Sequence, residues 1–129
     1  FGGNVAAGWL GSKDTKVSVK DKILSVQSHG KEPWVETRYT PLVMDATFAL
    51  EFEMKSNSEG TGSVSWRSGS TPYKPNHDGK WHPYRVEIPL AGGLGNLRIL
   101  PSSGPGEIQL RNIRLETADG HYVREWPLY

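Results

Sequence analysis

Along most of the chain apolar and polar residues alternate with a period of two, and helical spacing is scarce. Phe48, Leu50, Phe52 and Met54 share one parity, while Ala49, Glu51, Glu53 and Lys55 take the other. Successive side chains of a strand point to opposite faces, so this segment predicts a half-buried strand. The same reading predicts strands around Val17 and Val19, over Ile23–Val26, and over Trp34–Tyr39 between Pro33 and Pro41. Further on, Val64 and Trp66 share a face, as do Tyr84, Val86 and Ile88, and then Leu97 and Ile99. Tyr122–Trp126 reads as a terminal strand after the turn signal Ala118-Asp119-Gly120.

The segment Ile108–Leu115 breaks the rule. Ile108 and Leu110 have even parity, Ile113 and Leu115 odd. A β-bulge near Arg111-Asn112 resets the pleat and keeps all four on one side. In total about eight or nine short strands separated by turn chemistry predict an all-β, antiparallel two-sheet β-sandwich of jelly-roll type. No repeat, linker or low-complexity tract divides the 129 residues, so residues 1–129 are expected to form one domain.

Composition narrows the functional classes. There are no cysteines, which removes disulfides, thiolate metal sites and a cysteine nucleophile. Fifteen Lys and Arg against 14 Asp and Glu leave a formal charge of +1, scattered without a basic run, so nucleic acid is not an expected partner. No apolar stretch approaches the ~20 residues of a membrane helix. The opening FGGNVAAGWLGSKD lacks the basic start of a signal peptide, and the chain reads as a piece of a larger enzyme. Five Trp, five Tyr and three Phe suit both a β core and a surface on which sugar rings stack.

Catalytic chemistry is hard to assemble from these residues. Glu51 and Glu53 are the best carboxylate pair, but a glycosidase needs two carboxyls facing each other across the bond to be cut. There is no G-x-S-x-G elbow, phosphate loop or H-E-x-x-H. His77, Asp78 and His82 suggest a metal site, yet Asp78-Gly79 is a turn signal in its own right and no third close ligand is supplied. His82 with Glu87 or Glu53 would form an acid–base site only if the fold brought them into one pocket. No cofactor is expected; a structural calcium could use Asp21, Glu107, Glu116 or Asp119 near strand ends. The polar, proline-stiffened stretch from Arg67 to Lys80 is the best candidate binding loop. Trp34, Trp66 and Tyr73 are the candidate stacking rings, with Arg67, Asn76 and His77 as readers of hydroxyl or anionic groups.

The strings ILSVQSHGKEPWVE, GSVSWRS, HDGKWHPYRVEIP and LGNLRILPSSGPGEIQLRNIRL, in this order, resemble the galactose-binding-like β-sandwich accessory domain found at the C-terminal end of bacterial secreted sulfatases. The resemblance runs from about Val17 to Leu115 and implies a non-catalytic appendage, secreted or periplasmic, with Trp81, Tyr84 and Ile113 as core positions. The sulfatase signature, a Cys or Ser before Pro-x-Arg, is absent. No binding residue carries over from that family. The expected function is therefore a glycan-binding accessory module of a polysaccharide-acting hydrolase, with polysaccharide or sulfated glycan and the parent's catalytic domain as partners. The alternatives are a structural domain docking through Trp126, Leu128 and Tyr129, and a stand-alone carbohydrate-active enzyme.

Overall fold

The structure is a computed structural model and describes residues 5–13, 15–37, 40–43, 46–90 and 93–128. Among them there is no helix; the strands are β1 (Val5–Ala6), β2 (Trp9–Gly11), β3 (Thr15–Lys20), β4 (Ile23–Ser28), β5 (Val35–Thr37), β6 (Thr40–Val43), β7 (Ala46–Ser56), β8 (Gly62–Trp66), β9 (Gly69–Tyr73), β10 (Trp81–Leu90), β11 (Gly93–Gly95), β12 (Arg98–Leu100), β13 (Gly106–Thr117) and β14 (Tyr122–Trp126). The first sheet runs β1-β2-β5-β12-β8-β9; the second runs β10-β7-β13-β4-β3, with β14 also paired to β13. Every pairing is antiparallel, and β6 with β11 makes a separate two-stranded ribbon. Six strands in each main sheet exceed the number the alternation suggests.

The additional strands have little periodic signal. β1 and β2 are too short and glycine-flanked to show alternation. β9, Gly-Ser-Thr-Pro-Tyr, has the composition of a turn, yet it pairs with β8 from Trp66↔Gly69 to Gly62↔Tyr73. The expected binding loop from Arg67 to Lys80 therefore begins as a hairpin, and its irregular part is confined to residues 74–80. The expected strand through Tyr39 reaches Thr37; residues 38 and 39 lie outside the described set.

The core forms where the two inner faces meet. Phe48, Leu50, Phe52 and Met54 of β7 all point inward, each no more than 2% exposed. They meet Trp9, Val35, Val64 and Ile99 from the first sheet. Phe52 stacks on Tyr84 at 5.5 Å and meets the edge of Tyr73 at 5.6 Å, a three-ring cluster that fills one end of the sandwich. Trp9 and Trp126 approach to 5.9 Å elsewhere in the core. The bulge lies where the parity break puts it: Asn112 has φ +54°, and the β13–β7 register shifts between Arg111 and Arg114. Arg111 and Asn112 both face outward, so Ile108, Leu110, Ile113 and Leu115 all enter the core.

Candidate functional site

An open concavity of about 470 Å³ lies on the outer face of the first sheet. Strand parity builds it. In β5, Val35 and Thr37 point inward, so Glu36 points out; in β12, Ile99 points inward, so Arg98 points out; in β8, Val64 and Trp66 point inward, so Ser65 points out. The register Glu36↔Arg98↔Ser65 sets these three in one rung across the sheet. Arg67, Gly95 and Asn96 complete the groove, and Trp66 forms part of its wall. Gly95 passes close to Arg67: a Cβ there would sit 3.1 Å from the arginine Cβ.

Arg98 is held on two sides. Its Nη2 and Nε donate to Glu36 Oε1 at 3.0 and 3.3 Å, and its guanidinium lies 3.9 Å above the Trp34 ring centroid. A planar cation over an indole face is attracted by the ring quadrupole, so Trp34 and Glu36 together hold the guanidinium in place. Arg98 Nη1 and Glu36 Oε2 form no hydrogen bond among the described residues. Arg67, Ser65 and Asn96 also make no side-chain hydrogen bond among the described residues. The groove thus presents two guanidinium donors, one carboxylate acceptor, a hydroxyl and an amide on a rigid sheet.

Of the residues expected from sequence, Trp66 and Arg67 line this groove, and Trp34 adjoins it beneath Arg98. The indole of Trp34 is half-buried, with one face covered by the guanidinium rather than left bare. Trp66 is only 8% exposed, a wall and not a platform. Tyr73 corrects the expectation of a stacking ring: it packs in the core cluster, its hydroxyl donates to Leu100 O at 3.4 Å, and burial pushes its pKa up. Asn76 and His77 lie apart from the groove. Asn76 is exposed and its backbone N–H donates to the Tyr84 hydroxyl at 2.7 Å. His77 is a clip, bonded through Nδ1 to Ser56 Oγ at 2.6 Å and through Nε2 to Gly60 O at 2.9 Å. Sequence reading missed Glu36, Ser65, Asn96 and Arg98. A signal did exist for Arg98, a cation between the inward Leu97 and Ile99.

The outer face of the second sheet carries a different chemistry. Glu51 accepts from Arg85 and Arg114, Glu116 pairs with the same two arginines at 3.1 and 3.2 Å, and Glu53 accepts from Arg111 Nε and Asn112 Nδ2, each at 2.8 Å. Trp81, implied to be a core position, instead faces outward beneath Arg111, whose guanidinium lies 3.9 Å over its ring. Its parity, opposite to that of Tyr84, accounts for this.

These contacts decide the fate of the candidate acids. The Asn112 amide and the Arg111 guanidinium hold Glu53 below its ordinary value of 4.5; for Glu51, partial burial opposes the shift but hydrogen bonds from Arg114 and Arg85 prevail and lower it. Carboxylates kept ionised by arginines do not serve as general acids. His82 is bonded to Asp78 at 2.9 Å and faces away from Glu53, so the two do not converge. No group of three or more His, Asp or Glu able to hold a metal occurs among the described residues. Of the calcium candidates, Glu116 is committed to its two arginines and Asp119 to Thr117 and His121. Trp126 and Leu128 are 6% and 4% exposed, sealed within the sandwich rather than offered for docking; Tyr129 lies outside the described residues.

Because folding lowers the Glu53 pKa, its stabilising contribution is present above the unfolded value and drains away as acid is added below pH ~4.5. The melting temperature is expected to fall through that window, and less steeply in Glu53→Gln, which has no charge to lose. Thermal melts of both proteins from neutral pH downward measure the difference, and parallel curves would dismiss the contribution.

No family model matches the chain, and no curated protein matches it in sequence. Solved structures do match in shape. A carbohydrate-binding module of family 29 superposes with a TM-score of 0.63 at 12% identity, over 85% of this chain and 78% of that one. A variant of such a module complexed with cellulohexaose gives a TM-score of 0.63 at 15% identity, covering 88% of this chain and 85% of that chain. Another variant, complexed with mannohexaose, gives 0.62 at 14% identity, covering 88% and 86%. The chain therefore has the β-sandwich fold of these modules.

Proposed function

We propose that this domain is a non-catalytic glycan-binding module, and that the outer face of the first sheet is where the sugar binds. The observation that carries the reading is the groove itself. Arg67, Arg98, Glu36, Ser65 and Asn96 converge in an open depression, where Arg98 and Glu36 bond each other and the other three side chains form no hydrogen bond among the described residues. Sugars offer dense, alternating hydroxyl donors and acceptors, which such a mixed set matches. The open shape admits a chain passing along the face. Family 29 modules of this fold, complexed with cellulohexaose and mannohexaose, support the ligand class. The arginine-bound state of Glu51 and Glu53 argues against hydrolysis within the domain.

In this reading the module holds a secreted or periplasmic polysaccharide-acting hydrolase near its substrate. The resemblance of the strings between Val17 and Leu115 favours a sulfatase as that parent. Two guanidiniums in the groove suit a sulfated glycan, since planar forks pair with anionic oxygens.

Isothermal titration against cellulohexaose, mannohexaose and a sulfated hexasaccharide tests the proposal. Binding to at least one is expected, with Arg67→Ala and Arg98→Ala each weakening it roughly 10- to 100-fold, the usual worth of a charge-assisted hydrogen bond. Both side chains face solvent, so the melting temperature should hardly move. Affinity unchanged in both variants, or silence across all three sugars, would refute the reading.

A further inference from the structure

The second sheet carries a groove of its own, beside the arginine–glutamate network. Two adjoining depressions, of about 450 and 250 Å³, share Glu107 and Gln109. The register places Ser18, Ser25, Gln109, Lys55 and Trp81 directly opposite one another on five consecutive strands. All five belong to the outward parity. The rung therefore crosses the whole sheet, about 19 Å at the usual strand spacing. A second rung, Lys16, Gln27 and Glu107, runs parallel to it.

What separates this strip from the rest of the face is its lack of internal pairing. Every carboxylate and guanidinium of the neighbouring network is tied to another side chain. The side chains of Ser18, Ser25, Gln27, Gln109, Lys16 and Lys55 form no hydrogen bond or ion pair among the described residues. A file of amides, hydroxyls and ammoniums, with the Glu107 carboxylate beside it, ends at the partly exposed indole of Trp81 and spans the width needed by several sugar rings in a row. Apart from the Trp81 indole its outward side chains are polar or charged, unlike the apolar centre of a protein interface. Arg111 fixes the indole from one side, as Arg98 does for Trp34 on the opposite face.

We infer that the outer face of the second sheet is a second glycan-binding groove, for a linear chain lying across β3, β4, β13, β7 and β10. Trp81 contacts one end of the chain, and Lys16 and Lys55 are placed to meet acidic substituents. The inference borrows its ligand class from the reading of the first face, but none of its residues. With grooves on opposite faces, one module grips two chains, or two segments of one, and gains avidity without new contacts.

Isotope-labelled protein, titrated with cellulohexaose, mannohexaose and a sulfated hexasaccharide while backbone amide and indole resonances are followed, tests it. The amides of Ser18, Ser25, Lys55 and Gln109 and the Trp81 indole should shift saturably with at least one sugar, and should still do so in Arg98→Ala. In a Lys55→Ala, Gln109→Ala double variant this set should require about tenfold more sugar, while Ser65 and Asn96 titrate as before. A preference for the sulfated sugar identifies the lysines as anion readers; equal response to the neutral sugars assigns recognition to the amides and the indole. Shifts confined to the first face would overturn the second groove and leave the first standing. Shifts on the second face alone would do the reverse. Shifts there that ignore the double variant would also overturn it, and silence on both faces would remove both sites.

Discussion

Replacing Phe52 with alanine should lower the unfolding free energy by about 3–5 kcal/mol, the usual cost of deleting a buried aromatic side chain. The ring is 2% exposed and is the hub of the three-ring cluster, stacked on Tyr84 and met by the edge of Tyr73. Its loss removes apolar burial and leaves a cavity that the sheet backbones on either side cannot close. Domains of this size are stable by only about 5–15 kcal/mol, so the variant should have a sharply reduced denaturant midpoint. Tyr84→Phe is the matching control. It keeps the stack and removes only the hydroxyl that accepts from Asn76, at a cost of about 1 kcal/mol. Chemical denaturation of both variants measures the gap, and equal losses would mean that the cluster is not the keystone of that end.

The second large effect belongs to a position with no side chain. Gly106 opens β13 with φ +142°, and a Cβ there would lie 2.7 Å from Ser58 Cα and 2.9 Å from Ser58 Cβ. Ser58 cannot yield. Its buried hydroxyl is bonded to Ser102 Oγ and to the carbonyls of Gly104 and Pro105, all within 2.9 Å. Gly104 O in turn accepts from Ser28 Oγ at 2.8 Å. Gly106→Ala should therefore combine backbone strain with overpacking and cost about 2–5 kcal/mol. Gly79 supplies the contrast, with φ +74° and no atom within 4 Å of the point a Cβ would occupy. Gly79→Ala carries only the left-handed penalty of about 1–2 kcal/mol. Denaturant unfolding of the two variants ranks them, and the reverse order would refute the role given to the Ser58 hub.

The sandwich was legible wherever one face of a strand is buried and the other wet. β7 declared its inward set by strict alternation, and β13 declared its bulge by breaking it between Leu110 and Ile113. The ends of the first sheet were not legible, because β1 and β9 bury almost none of their side chains and so carry no alternation. β9 reads as turn residues and is held by its ladder to β8, while β1 and β2 are too short to show a period.

The site was legible only in part, and for a related reason. A tryptophan looks the same in sequence whether it lines a core or a face. Trp66 shares parity with the buried Val64 and turns in; Trp34 precedes the inward Val35 and turns out; Trp81 opposes Tyr84 in parity and turns out. Parity decides each case, whereas its place in a polar, proline-stiffened stretch favoured Tyr73, which packs against the core. Glu36 and Arg98 come from strands about sixty residues apart and meet only through the β5–β12 register, which local pattern does not reveal.

Five tryptophans fall into two optical classes. The indole nitrogens of Trp9, Trp66 and Trp126 are sealed and find no hydrogen-bond partner among the described residues. Their emission should be blue, and of the three only Trp66, in the wall of the first-sheet groove, stands where a solute bound there would meet it. Trp34 and Trp81 each lie under a guanidinium at 3.9 Å, one on each side of the sandwich. A solute on the first face is therefore reported by Trp34 together with the groove-wall Trp66, and one on the second face by Trp81, so that replacing Trp81 with phenylalanine leaves reporters of the first face alone.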